Sequence, residues 1–229
     1  MKNGGIVDEE LDLRGSRGLA RRRLGKGVPL VLVPGCGRDH HDFDPLLDEL
    51  AGHDLVVPAL PGRAGVPGAP PASAEEAARY VLAVLDACGI TRVVVGGHSY
   101  GGAIALELAL AAPTRVAGLA LLSTGARLRV APAMLEAVAA SGDDVALADW
   151  QACHRFDRLP DITRVRGPAA IVVGRDDPLT PVRYSRFLHD AIVPSTLTVI
   201  EGADHEAPST HADVVAAALR GLLGALASA

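Results

Sequence analysis

The run Val93-Val94-Val95-Gly96-Gly97-His98-Ser99-Tyr100-Gly101-Gly102, followed at once by Ala103-Ile104-Ala105-Leu106, constrains this chain more than any other stretch. A β-branched segment predicts a strand, an alanine-rich segment predicts a helix, and only a sharp turn fits between them. The pattern Gly97-x-Ser99-x-Gly101 suits such a turn, with the serine held in a strained backbone conformation and its hydroxyl above the carboxyl end of the sheet. Glycines two places either side of Ser99 remove side chains where strand and helix nearly touch. The first helical turn leaves N–H groups free and carries a partial positive charge, which favours any developing anion.

The rest of the chain repeats this alternation. Residues 28–33 form a continuous apolar run, as expected for a strand buried on both faces; 54–59 and 116–123 read as further buried strands, 169–173 restores the strand pattern, and 196–200 is the last strand. Helices are predicted over 44–50 (capped by Asp42 or Asp44, with Pro45 in the first turn), from a Ser73/Glu76 capping box through 85, after Ser99, over 181–190 and over 212–226. Ahead of these, 6–14 alternates apolar and charged residues and can pair with 19–24 as an antiparallel edge. Arg21-Arg22-Arg23 then reads as an exposed edge strand kept soluble by charge. Residues 127–167 interrupt the alternation with helical pieces near 133–140 and 145–153. They are long for a connection, so a cap insertion over the carboxyl ends of the strands is expected. Strands alternating with helices imply one α/β domain over 1–229, with a mainly parallel sheet covered on both faces.

Composition narrows the function. Hydrophobic residues make up 49% of the chain and charged ones 21%, enough for a sizeable core and against disorder. Aromatics are only 3% and the formal net charge is −5, which argues against nucleic-acid partners that need stacking platforms and a positive surface. Cys36, Cys88 and Cys153 are scattered and odd in number, which suits a reducing compartment. The polar N-terminal residues give no signal segment or membrane span, so a cytoplasmic location and no membrane partner are expected.

A serine hydroxyl needs a base to take its proton, and the base needs a carboxylate to orient it. Of eight histidines, His205 lies in a Gly/Ala loop directly after the last predicted strand, whereas the others fall in helices, caps or surface loops. His98 neighbours Ser99 but points to the opposite side. Asp176 and Asp177 both follow a buried strand; the reading takes Asp177 as the acid and keeps Asp176 as the alternative. The order Ser99, Asp177, His205 separates this arrangement from the other common serine triads. An oxyanion hole needs two N–H donors. Tyr100 supplies one backbone N–H, and the Pro34-Gly35-Cys36-Gly37 loop the other, at Cys36. A reactive thiol at Cys36 is the rival reading, without an activating base in the sequence.

These four motifs, Pro34-Gly35-Cys36-Gly37, Gly97-His98-Ser99-Tyr100-Gly101, Gly174-Arg175-Asp176-Asp177-Pro178 and Gly202-Ala203-Asp204-His205, resemble those of the α/β-hydrolase superfamily, in its small-cap esterase, lipase and lactonase branch. The resemblance spans nearly the whole chain. It implies an α/β-hydrolase fold and a cofactor-free Ser–His–Asp hydrolase acting on a small-molecule ester, thioester or lactone. It also supports Asp177, because the family's acid usually stands third after the glycine. Two departures accompany it. Pro34-Gly35 replaces the usual His-Gly, and Asp204, with Glu206 beyond, flanks His205 where a small residue is usual.

The same apparatus can serve acyl transfer, perhydrolysis, C–C hydrolysis or a lyase step, or persist in a catalytically silent receptor. Met134, Leu135, Val138, Leu147, Trp150 and Phe156 give the 127–167 segment an apolar face, favouring small to medium acyl groups. Asp39-His40-His41-Asp42 contains ligand-type residues, but adjacent residues rarely converge on one ion, so a polar helix entry and no metal are expected. No phosphate-binding glycine motif implies a nucleotide cofactor.

Overall fold

The apolar runs, joined by the two charged segments ahead of them, build an eight-stranded sheet. Its strands in chain order are β1 (Val7–Asp12), β2 (Arg17–Arg23), β3 (Lys26–Val33), β4 (His53–Pro58), β5 (Val93–His98), β6 (Val116–Leu122), β7 (Ala169–Gly174) and β8 (Ser195–Ile200). The computed structural model describes residues 5–228, so residues 1–4 and 229 of the expected domain lie outside the described residues. The spatial order is β1-β2-β4-β3-β5-β6-β7-β8, with β1, β2 and β4 paired antiparallel and β4 through β8 parallel. From β3 the chain steps outward to β4 and then returns to the other side of β3 to form β5. That reversal opens a crevice at the carboxyl ends of β3 and β5, where α/β sheets place their ligands.

Alternate residues of each buried strand feed opposite layers. Val31, Val33, Val95, Leu119 and Ile171 pack toward α2 (Ala74–Ala87), α3 (Tyr100–Ala111) and α6 (Val182–Ala191). Leu30, Leu32, Val94, Leu122 and Val172 pack toward α1 (Asp44–Glu49) and α8 (Ala212–Ala227). Between β6 and β7 lie α4 (Pro132–Ser141) and α5 (Asp144–Arg155), and the short α7 (Ala207–Thr210) follows the loop after β8. No helix among the described residues is long and apolar enough to cross a membrane.

Two local expectations change. The expected cap of α1 by Asp42 or Asp44 does not form: Phe43 is the N-cap and makes no side-chain cap bond. Asp44 is instead the first helical residue and pairs with Arg21, while Asp42 pairs with Arg38 at 3.2 Å. The three arginines do not form an exposed edge either. β2 lies inside the sheet between β1 and β4, with Asp8 directly opposite Arg21. Arg21, Arg22 and Arg23 each pair with a carboxylate, on Asp8 and Asp44, Glu9, and Asp48, and β1 is the edge. The Ser73 cap forms, accepting from the Glu76 amide at 3.2 Å, while the Glu76 carboxylate turns back to the amide of Ala72 rather than Ser73.

Candidate active site

Ser99 sits between β5 and α3 with φ 54° and ψ −117°, a conformation that L-residues rarely adopt. The turn is enforced by packing. A Cβ on Gly101 would lie 1.9 Å from the Val33 carbonyl oxygen, and one on Gly97 would lie 2.4 Å from the Gly101 carbonyl carbon. The Ser99 amide donates to the Leu122 carbonyl at 2.9 Å, and the Thr124 hydroxyl donates to the Ser99 carbonyl at 2.7 Å. Ser99 Oγ makes no hydrogen bond to His205 among the described residues, and bonds of this kind often tighten only when substrate binds.

The loops after β7 and β8 bring Asp177 and His205 together. His205 Nδ1 lies 2.8 Å from Asp177 Oδ2, and both residues are buried. Asp177 Oδ1 accepts the amides of Leu179 at 2.9 Å and Thr180 at 2.8 Å, and Oδ2 accepts the Thr180 hydroxyl at 2.7 Å. Burial alone would raise the Asp177 carboxyl, but hydrogen bonds from His205 and Thr180 outweigh it and hold the group at about 2. An ionised carboxylate only accepts, so His205 Nδ1 carries the proton and Nε2 is left with a lone pair. Asp176 is exposed and makes none of these contacts. Of the residues flanking His205, Asp204 faces solvent and accepts the Glu206 amide at 2.9 Å, and Glu206 pairs with Arg38 at 2.7 Å.

The backbone amides of Cys36 and Tyr100 have no protein acceptor among the described residues. They belong to the loop after β3 and to the first residue of α3. The Cys36 residue is partly exposed, yet its thiol is enclosed. Burial, with the Cys153 thiol beside it, pushes that thiol well above its ordinary value, which disfavours the nucleophilic thiolate. Ser99 opens onto a cavity of about 170 Å³ whose walls include Val130, Met134, Trp150, Cys153 and Leu179. Met134 and Trp150 therefore lie where the 127–167 segment meets the serine. Phe156, expected on the same apolar face, is buried in the core.

Sequence reasoning gave no role to three residues that the fold brings here. Thr180 holds Asp177 through both its amide and its hydroxyl. His98 Nε2 donates to the His205 carbonyl at 2.8 Å, and the two rings lie 4.7 Å apart. Burial lowers His98 to about 3, so it is a neutral donor to the His205 loop. Asp149 of α5 accepts the Gly37 amide of the loop after β3 at 2.9 Å. Only Thr180 had a sequence signal, an Asp-x-x-Thr spacing at a loop; the other contacts span more than a hundred residues.

One further cluster offers metal-ligand atoms. Asp8, His40 and His41 place such atoms within 4.8 Å of one another, and both ring nitrogens of buried His40 lack partners. The Arg21 guanidinium already sits 3.0 Å from Asp8 Oδ1, so a cation occupies the position where this carboxylate would meet an ion.

Comparison with known proteins agrees with this architecture. A family profile described as alpha/beta hydrolase fold matches residues 28–141. A pimeloyl-[acyl-carrier protein] methyl ester esterase of Neisseria meningitidis is 30% identical over 254 aligned residues, covering 88% of this chain and 98% of that protein. A putative carbamate hydrolase of Azorhizobium caulinodans is 26% identical, covering 87% of this chain and 92% of that one. Among solved structures, a thermophilic esterase superposes with a TM-score of 0.86 at 26% identity, covering 97% of this chain and 99% of that chain. The sheet order, the serine turn between β5 and α3, and these relatives together establish that the chain belongs to the α/β-hydrolase family.

Proposed function

We propose that this protein is a cofactor-free serine hydrolase that cleaves small to medium apolar carboxylic esters, thioesters or lactones through an acyl-enzyme. Ser99 Oγ attacks the substrate carbonyl as His205 Nε2 takes its proton. Asp177 fixes the His205 tautomer and stabilises the imidazolium that forms. The Cys36 and Tyr100 amides hold the developing oxyanion, a contribution worth about 10²–10³ in rate for a single donor. His205 then returns its proton to the leaving group, and water activated by the same base releases the acyl group. Residues 127–167 act as the cap that bounds the acyl group.

The observation that carries this reading is the pairing of an ionised, fully hydrogen-bonded Asp177 with His205, on loops at the same end of the sheet as a serine in a strained elbow. Esterase relatives of similar length support the reaction class, and the apolar wall at Met134 and Trp150 supports an uncharged acyl group. Three free cysteines fit a reducing, cytoplasmic setting. The test is labelling of wild-type and Ser99→Ala protein with a fluorophosphonate, alongside turnover of a chain-length series of p-nitrophenyl esters. Labelling and turnover should vanish together in Ser99→Ala. Turnover surviving in that variant at equal purity would remove the proposal.

A further inference from the structure

We infer that Asp149 is a positioning residue for the oxyanion hole, fastening the oxyanion loop to helix α5 through the amide next to the Cys36 donor. The inference rests on the hydrolase reading above and goes beyond it. Asp149 is 1% exposed, and its Oδ2 accepts both the Gly37 amide at 2.9 Å and Arg63 Nη1 at 2.9 Å. Arg63 Nη2 donates to Asp149 Oδ1 at 2.9 Å, completing a bidentate pair in which Arg63 is itself only 9% exposed. Arg63 Nη1 also donates to the Arg38 carbonyl at 3.1 Å, on the far side of the same loop. One carboxylate thus gathers three segments: the loop after β3, the loop after β4, and α5.

The arrangement bears on catalysis because of where the loop is held. Gly37 has φ 67°, so the chain turns sharply just past Cys36, and a Cβ there would meet the Ala146 Cβ of α5 at 3.3 Å. The Cys36 amide must lie within hydrogen-bond range of a position defined by Ser99, and a displacement of about 1 Å can cost about a hundredfold in rate. In the family a histidine usually precedes the first glycine of this loop; here Pro34 stands in that place, and its side chain offers no donor or acceptor. Asp149 supplies the support from outside. Trp150 and Cys153 on the same helix line the acyl cavity, so α5 touches both the acyl group and the oxyanion loop.

The alternative is an ion pair that only holds α5 down, and paired variants separate the two. Asp149→Leu combined with Arg63→Met replaces the buried pair by apolar side chains of similar volume, a change that is often neutral or stabilising, while removing the Gly37 acceptor. This double variant should keep a near-wild-type Tm, yet lose about a hundredfold in kcat and in the rate of Ser99 labelling by fluorophosphonate, with KM nearly unchanged. Asp149→Asn keeps an oxygen for the Gly37 amide and abolishes the charge pair. It should lower Tm yet label within a few-fold of wild type. Amide hydrogen exchange over 35–38 should speed up in the double variant and not in Asp149→Asn.

A folded double variant that labels and turns over at the wild-type rate with unchanged exchange overturns the inference. So does Asp149→Asn losing as much kcat as the double variant while folded. If the double variant does not fold, the exchange and labelling of Asp149→Asn against Asp149→Ala decide alone: equal losses in both overturn it. If wild-type protein itself is never labelled, the hydrolase reading falls, while the exchange measurement still reads whether Asp149 anchors the loop.

Discussion

At His205 the tautomer depends on one acceptor. Asp177 is surrounded by donors, so it stays anionic and forces His205 Nδ1 to hold the proton. Asp177→Asn keeps the shape but can turn an amide N–H toward Nδ1, which moves the proton to Nε2 and removes the lone pair that the proposed reaction uses. We expect kcat to fall by about 10⁴ with little change in KM, whereas Asp176→Asn, on an exposed side chain, should leave both within about twofold. Steady-state kinetics on a p-nitrophenyl ester checks the pair. His98 has a different signature, in stability. Its value drops from 6.5 to about 3 on folding, through burial above all, so below pH 6.5 the unfolded chain binds a proton that the native state refuses. Stability therefore falls as pH drops from 6.5 toward 3, and His40, also lowered by burial, adds the same sign. Asp177 works lower down: its contribution is complete above 3.8 and is lost as pH falls toward about 2. His98→Asn can still donate to the His205 carbonyl but does not titrate. Its Tm should decline less steeply than that of wild type between pH 6.5 and 4, and an unchanged slope would count against this role for His98.

At the level of the element, the serine turn is a three-body fit of β3, β5 and α3. Gly101 approaches the Val33 backbone so closely that a Cβ would overlap its carbonyl oxygen, and backbone cannot move aside as a flexible side chain can. Gly101→Ala should therefore lower Tm by more than ten degrees or yield insoluble protein; a thermal melt within a degree or two of wild type would show that the elbow relaxes. This element was legible in the sequence because its restraint is local: a β-branched run, small residues at fixed offsets, and a helix at once. The inner strands from β3 to β7 were legible because burial on both faces leaves largely apolar runs, whereas the edge strand β8 is only partly buried. What sequence reasoning misplaced depended on partners far along the chain. The arginines of β2 read as an exposed edge because their charge signalled solvent, yet β1 supplies Asp8 and Glu9 across the ladder and α1 supplies Asp44 and Asp48. Asp44 lies one position inside α1, where it pairs with Arg21 instead of capping the helix. The roles of His98 and Asp149 were not legible, because their partners lie 107 and 112 residues away and no local pattern marks them.

Over the whole molecule, the proposed reacting groups stand on loops at the ends of strands, and the proposed acyl wall is built by the 127–167 segment. Ser99, Asp177 and His205 all follow strands whose positions are fixed by the parallel ladder, so side chains of α4 and α5 can change without moving them. Trp150 is the largest side chain in the wall of the serine cavity and is only half-buried, so it can be truncated without emptying the core. A cavity of about 170 Å³ accommodates a short acyl chain. Trp150→Ala should enlarge it and shift the preferred p-nitrophenyl ester toward longer chains, with kcat/KM for octanoate relative to butyrate rising by about tenfold. That figure corresponds to about two added methylenes gaining burial at about 0.8 kcal/mol each. Fluorophosphonate labelling should stay near the wild-type rate, because the neighbouring Asp149 still holds the oxyanion loop. A chain-length profile identical to wild type would mean that this helix does not bound the acyl group, and that the acyl chain leaves Ser99 by another route. A shifted profile with slowed labelling would mean that Trp150 and Asp149 cannot be separated, and that α5 sets substrate size and oxyanion geometry as one unit.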